Sequence, residues 1–343
     1  MYSFENDYSE GCLQEILDVL SETNLIQTTG YGLDEYCKEA EELIKKAVGV
    51  DSEVFFMVGG TQANMTVISS ILRPHEGVIS AETGHINVHE TGSIESTGHK
   101  VITIKGVNGK LEADSIRELL EEHFNDPGRE HIVKPGMIYV SNPTELGTLY
   151  KKSELEAIRK VADDFSIPLF LDGARLGAAL VAPTNDLTLN DVGRLCDVFY
   201  IGGTKSGALF GEAIVFTNKK LTEDFRYLMK QRGGLLAKGR LLGIQFKSLF
   251  TDDLYFKAQK NAIDKAGEIS KILKDNGYDL YAQTETNQIF PIVTNKQKEA
   301  LRENFVFEDW VHLGDKTVIR FVTSWATTNE AVEALEKKLI ELA

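Results

Sequence analysis

Strand-length apolar runs alternate with amphipathic helical stretches through much of this chain. That alternation narrows the fold more than any other feature, because it is the signature of βα units wound around a mainly parallel sheet. Val54-Phe-Phe-Met-Val58 reads as a buried strand, and Thr61–Leu72 as the helix after it, stopped by Pro74. In the next clear unit Ser153-x-x-Glu156 forms a capping box. Leu155, Ile158, Ala162 and Phe165 follow at helical spacing, and then a strand over Pro168–Leu171. Val198–Ile201 and Glu212–Phe216 supply two more strands. After residue 250 the texture changes to a helix over Asp253–Lys274, the turn Asp275-Asn-Gly277, and strands over Gln288–Val293 and Thr317–Val322. The closing helix carries Val332, Leu335, Leu339 and Leu342 on one face behind Thr327-x-x-Glu330, a second capping box. The pattern predicts an α/β chain in two domains: residues 1–250 around a mainly parallel sheet, and a smaller α+β domain over 251–343, with the N-terminal stretch packing against the small domain or a partner subunit.

In open α/β sheets ligands bind at the carboxyl ends of the strands, and here those ends hold the reactive side chains. One strand runs into Leu171-Asp172-Gly-Ala-Arg175, the next into Gly202-Gly-Thr204-Lys205-Ser-Gly207. A lysine can form a Schiff base with an aldehyde cofactor, and a carboxylate on a neighbouring strand can keep a pyridine nitrogen protonated, which makes the ring an electron sink. The two strand ends therefore look like the halves of a pyridoxal 5'-phosphate (PLP) site. The bland alternatives are an Asx turn for Asp172 and a solvated loop lysine for Lys205. Gly59-Gly60-Thr61-Gln62 opens a helix directly after a strand, so backbone N–H groups at Gly60, Thr61 and Gln62 are available to a phosphate, although a tight strand-to-helix turn explains the same residues. It matches neither the dinucleotide fingerprint nor the P-loop.

His85-Ile-Asn-Val-His89 puts two imidazoles one helical turn apart, but with no third ligand evident a metal is not expected. An imidazole stacking on a flat cofactor or moving a proton suits the setting better. Arg320 lies on a strand of the small domain, where it can face the interdomain cleft and grip a substrate carboxylate with its forked guanidinium, or form an edge-strand salt bridge. The balance of 52 acidic against 37 basic residues, a formal charge of −15, argues against a nucleic-acid partner. No apolar run approaches the ~20 residues that cross a bilayer, and no signal peptide is visible. Cys12, Cys37 and Cys196, odd in number and widely spaced, read as reduced thiols of a cytoplasmic protein.

Together these segments resemble the threonine aldolase family of PLP enzymes, within the aspartate aminotransferase-like fold (fold type I). The motifs that carry the resemblance are Phe4-Glu-Asn-Asp7, Gly30-Tyr-Gly32, Gly59–Asn64, His85–Gly92, Leu171–Leu176, Gly203-Thr-Lys205 and Arg320–Trp325. The resemblance implies that Lys205 is the Schiff-base lysine, with Thr204 beside it, Asp172 the pyridinium partner, and Arg175 a contact to cofactor and substrate. It further implies phosphate binding at Gly60 and Thr61, stacking and proton handling by His85, and a carboxylate site at Asn6 and Arg320. Arg232 and Lys238 would reach the phosphate of a neighbouring subunit in a homodimer or homotetramer. The chain departs from the family where Asn142-Pro-Thr-Glu145 lacks the usual histidine, which makes Glu145 the substitute base. The implied reaction is Cα–Cβ cleavage of a β-hydroxy-α-amino acid, threonine or allo-threonine, to glycine and acetaldehyde. The alternatives are β-elimination or transamination on the same scaffold, and a non-catalytic binding or regulatory protein.

Overall fold

A computed structural model describes all 343 residues. Its strands are β1 (Tyr2–Ser3), β2 (Glu53–Met57), β3 (Glu76–Ala81), β4 (Lys100–Ile104), β5 (Lys134–Ser141), β6 (Leu169–Asp172), β7 (Val198–Gly202), β8 (Glu212–Phe216), β9 (Gln288–Ile289), β10 (Ile292–Thr294), β11 (Phe305–Val306), β12 (Glu308–Leu313) and β13 (Lys316–Val322). Seven of them form the main sheet in the order β2-β8-β7-β6-β5-β3-β4. Neighbours in the run β7-β6-β5-β3-β4 pair in parallel, whereas β8 runs antiparallel to both β7 and β2. β10, β13 and β12 form a second, antiparallel sheet, to which β9 adds by pairing with β13.

Amphipathic helices pack on the sheets by burying one face. In Lys152–Phe165 the buried residues are Leu155, Ile158, Val161 and Ala162, the spacing legible in the sequence. Each fully buried aliphatic side chain there contributes roughly 1.5–3 kcal/mol relative to exposure. The start of that helix differs from expectation: Glu154, not Glu156, closes the box, its carboxylate accepting from the Lys151 backbone N–H at 2.7 Å. The last helix, Asn329–Leu342, is capped by Thr328 rather than Thr327, its hydroxyl accepting from the Ala331 N–H. The strand expected over Gln288–Val293 is broken into β9 and β10 around Phe290 and Pro291, since proline has no N–H to give a sheet ladder. None of the helices is long and apolar enough to cross a membrane.

The direction of β8 decides which of its residues reaches the ligand-binding edge of the sheet. Running against its neighbours, it begins at the edge where they end, so Glu212 pairs with Gly202 of β7 on one side and Met57 of β2 on the other. The carboxyl ends of β5, β6 and β7, the start of β8 and the turn from β2 into the helix Gly60–Ile71 therefore share one rim.

Candidate active site

Strand alternation builds the floor of the rim. Tyr139 of β5 and Tyr200 of β7 lie on one face of the sheet, on either side of Phe170 of the intervening β6, and both hydroxyls donate to the Asp172 carboxylate at 2.5 Å. Asn64 Nδ2 and the Ala174 backbone N–H complete the set at 3.1 and 3.0 Å. Asp172 is 4% exposed. Burial opposes its ionisation, but the His85 ring and the two tyrosine hydroxyls outweigh it and hold the carboxyl below its usual range. Gly173 is required here: a Cβ would run into the Tyr200 carbonyl of the adjacent strand.

Asn64 ties this floor to a second group. The same amide nitrogen donates to Glu90 at 2.7 Å, Glu90 accepts from Ser93 Oγ at 2.7 Å, and its Oε1 sits 2.7 Å from His85 Nδ1. A buried carboxylate thus orients the imidazole and leaves Nε2 facing away from that contact. Glu145 stands beside the ring, its Oε1 accepting from the His85 backbone N–H at 2.9 Å and from Ser141 Oγ at 2.8 Å. Burial pushes its carboxyl up.

Lys205 follows β7 in a loop anchored by Gln259, which donates to the Lys205 carbonyl at 2.9 Å. Burial, then the Arg175 charge, lowers the pKa of its amine. Thr204 Oγ donates to Glu212 Oε1 and accepts from the Gly211 N–H, both at 3.0 Å, which closes the loop on itself. Glu212 is 4% exposed, its Oε2 has no hydrogen-bond partner, and burial pushes the carboxyl up to about 8.

Gly60, Thr61, His85, Glu145, Asp172, Arg175, Thr204 and Lys205 line one cavity of about 280 Å³, together with Tyr8 and Tyr200. An adjoining recess of about 260 Å³ shares His85, Glu145, Arg175 and Lys205 and adds His89, Gln288, Glu308, Trp310 and Arg320. The remaining residues singled out in the sequence lie elsewhere. Asn6 lines neither space, and its side-chain oxygen is taken by the Tyr8 N–H and Ser9 Oγ at 3.0 Å. Gln62 donates to the Arg232 carbonyl at 2.9 Å, Arg232 reaches Ser69 Oγ at 3.3 Å, and Lys238 is exposed. Arg175 is at the cavity with its fork already filled: Nε and Nη2 donate to the two oxygens of buried Asp7 at 2.6 and 3.1 Å, and Asn287 donates to the same carboxylate at 2.9 Å. Asp7, Asn64, Glu90, Tyr139, Tyr200 and Glu212 are the polar groups that sequence reasoning did not single out individually. Asp7, Asn64 and Glu90 lie inside recognisable motifs, whereas nothing local marks the two tyrosines.

Residues 15–337 match the model of the beta-eliminating lyase family. A low specificity L-threonine aldolase from a Pseudomonas sp. is 33% identical over 97% of this chain and 95% of its own length. The chain belongs to the beta-eliminating lyases, in the threonine aldolase family. The Leishmania major threonine aldolase structure superposes with a TM-score of 0.97 at 43% identity, covering 100% of this chain and 99% of that one. A Thermus thermophilus aspartate aminotransferase shares the fold at 12% identity, with a TM-score of 0.73 over 100% of this chain and 92% of its own. This threonine aldolase family member is therefore an α/β protein of fold type I with a mostly parallel central sheet.

Proposed function

We propose that the protein binds PLP in the cavity over Asp172 and cleaves the Cα–Cβ bond of threonine or allo-threonine to give glycine and acetaldehyde. The observation that carries this reading is the convergence of Lys205, a buried ionised Asp172 and an uncapped helix N-terminus on one cavity. The residues fit the cofactor. The helix Gly60–Ile71 starts without a side-chain cap, and a Cβ on Gly59 would meet nothing within 4 Å, so its N–H groups are open to a phosphate. Lys205 has a depressed pKa, which favours the neutral, nucleophilic amine.

When PLP is bound, Lys205 would take its aldehyde, Asp172 would pair with its ring nitrogen, the N–H groups at Gly60 and Thr61 would hold its phosphate, and His85 would lie against its ring. PLP, when bound, supplies the electron sink that stabilises the carbanion left at Cα. Arg320 orients the substrate through its carboxylate. Arg175 acts through the Asp7 pair rather than as a free carboxylate clamp. His85, held by Glu90, and Glu145 are the two groups placed to handle the β-hydroxyl proton. We assign its removal to Glu145, which is anchored through Oε1 by the His85 N–H and Ser141 Oγ and whose burial raises its pKa, making the carboxylate a stronger base. We further propose that the chain divides into domains 1–250 and 251–343 and that the protein is a cytoplasmic homodimer or homotetramer. The latter is supported by three free, buried cysteines and by outward-facing Leu25, Leu33 and Tyr227, apolar side chains of the kind that subunit contacts cover.

The test is the absorbance band near ~420 nm expected of an enzyme-bound PLP Schiff base, followed by an acetaldehyde assay with allo-threonine. Wild type should show both, Lys205→Ala neither, and Glu145→Gln the band with turnover reduced by about 10²-fold or more. A band without acetaldehyde would move the assignment to another amino-acid reaction.

A further inference from the structure

The antiparallel register of β12 and β13 sets Glu308 directly opposite Arg320. Such cross-strand neighbours are within side-chain reach, and Glu308 Oε2 makes an ion pair with Arg320 Nη2. Gln288 Oε1 takes Nη1 at 3.1 Å. A register shift between Asp309 and Val311 falls at Trp310, whose ring centroid lies 5.1 Å from the guanidinium carbon. One donor remains: Arg320 Nε is buried and has no partner.

Nε and Nη2 form the edge of a guanidinium that grips a carboxylate with two parallel bonds. Arg175 uses this same edge on Asp7 and fills both prongs. On Arg320, Glu308 fills one prong and leaves the other unpaired. The two partners also differ in freedom, the Arg320 side chain being 14% exposed and that of Glu308 39%. Glu308 can swing into water, whereas Arg320 is held by the indole and Gln288. An incoming carboxylate that displaced Glu308 would take Nη2 and also satisfy the orphan Nε, replacing a one-pronged contact with a two-pronged one.

We propose that Glu308 is a resident competitor for the substrate carboxylate, a positioning residue that keeps Arg320 aimed into the cleft and sets how tightly α-amino carboxylates bind. The inference rests on the assignment of Arg320 as the carboxylate site. It implies that part of each substrate's binding energy goes into breaking the Glu308 pair, so removing the competing charge while keeping a hydrogen-bonding side chain strengthens binding.

The experiment is calorimetric titration of PLP-loaded enzyme with glycine, the carboxylate product, in wild type, Glu308→Gln, Glu308→Ala and Arg320→Ala. Glu308→Gln should bind glycine about five-fold more tightly, the span of a partly exposed ion pair, and should lower KM for allo-threonine by a similar factor with kcat little changed. Glu308→Ala should shift the same way, which identifies the lost charge as the cause. Unchanged or weaker glycine binding in both Glu308 variants, with binding lost in Arg320→Ala, would overturn the competitor role and leave Arg320 in place. Unchanged binding in Arg320→Ala would instead remove the carboxylate assignment on which the inference stands.

Discussion

Glu212 lies at the cavity beside Lys205, with one carboxylate oxygen unbonded. Its pKa is raised to about 8 from an ordinary 4.5, so the folded protein keeps a proton that the unfolded chain releases. Folding stability from this group is therefore full below the ordinary carboxylate range and falls as the pH rises towards about 8. Glu212→Gln, which cannot ionise, should gain melting temperature relative to wild type at pH 9 and little at pH 5. An equal gain at both would show that Glu212 is ionised throughout. Glu212 itself was not legible beforehand, because nothing in Gly211-Glu-Ala-Ile-Val marks it until the antiparallel strand brings it to the rim. Lys205 and Asp172 were legible because each stands at the end of an apolar run, where the fold class already places chemistry. The network below them was not: Asn64 bonds Asp172 across 108 residues and Glu90 across 26, and no local pattern encodes such pairs. Asn6 and Asp7 show how fine the margin is. They are adjacent, yet only Asp7 points inward to Arg175.

Between elements, close approach is what the sequence leaves unsaid. The helices Arg240–Phe250 and Glu35–Val48 pack across Gly243, where an added Cβ would stand 2.7 Å from both Cα and Sγ of Cys37. The obstacle includes backbone, so it cannot rotate away. Gly243→Ala should cost about 1–3 kcal/mol, read as a lower urea midpoint with unchanged m-value; a wild-type midpoint would mean that the helices slide apart freely. Helix faces were readable from spacing, since Leu155, Ile158 and Ala162 recur with the helical period. Helix starts were less so, because Thr327 and Thr328 are both competent caps and only the entering chain selects the second. Pro291 divided a strand that its apolar neighbours made look continuous.

At the scale of the molecule, the two sheets are tied by the first residues of the chain. Phe4 is fully buried against Phe305 and Phe321 of the small sheet region, and three residues on Asp7 joins Arg175, after β6, to Asn287, before β9. Burial disfavours the Asp7 charge, yet Arg175 and Lys205 hold it ionised. Asp7→Ala leaves Arg175 without its partner, a loss of about 3–5 kcal/mol when such a pair is buried, and calorimetry should register it as a lower melting temperature. The alternation of strands and helices made the main sheet legible, but this strap was foreseen only as an N-terminal stretch packing somewhere on the small domain or a partner. Its partners lie far along the chain, Tyr2 of β1 pairing with Phe305 of β11. On the ribosome, then, Tyr2 and Ser3 wait unpaired until Phe305 and Val306 have been made. A nascent chain halted before residue 305 would carry an assembled main sheet with β1 still unpaired.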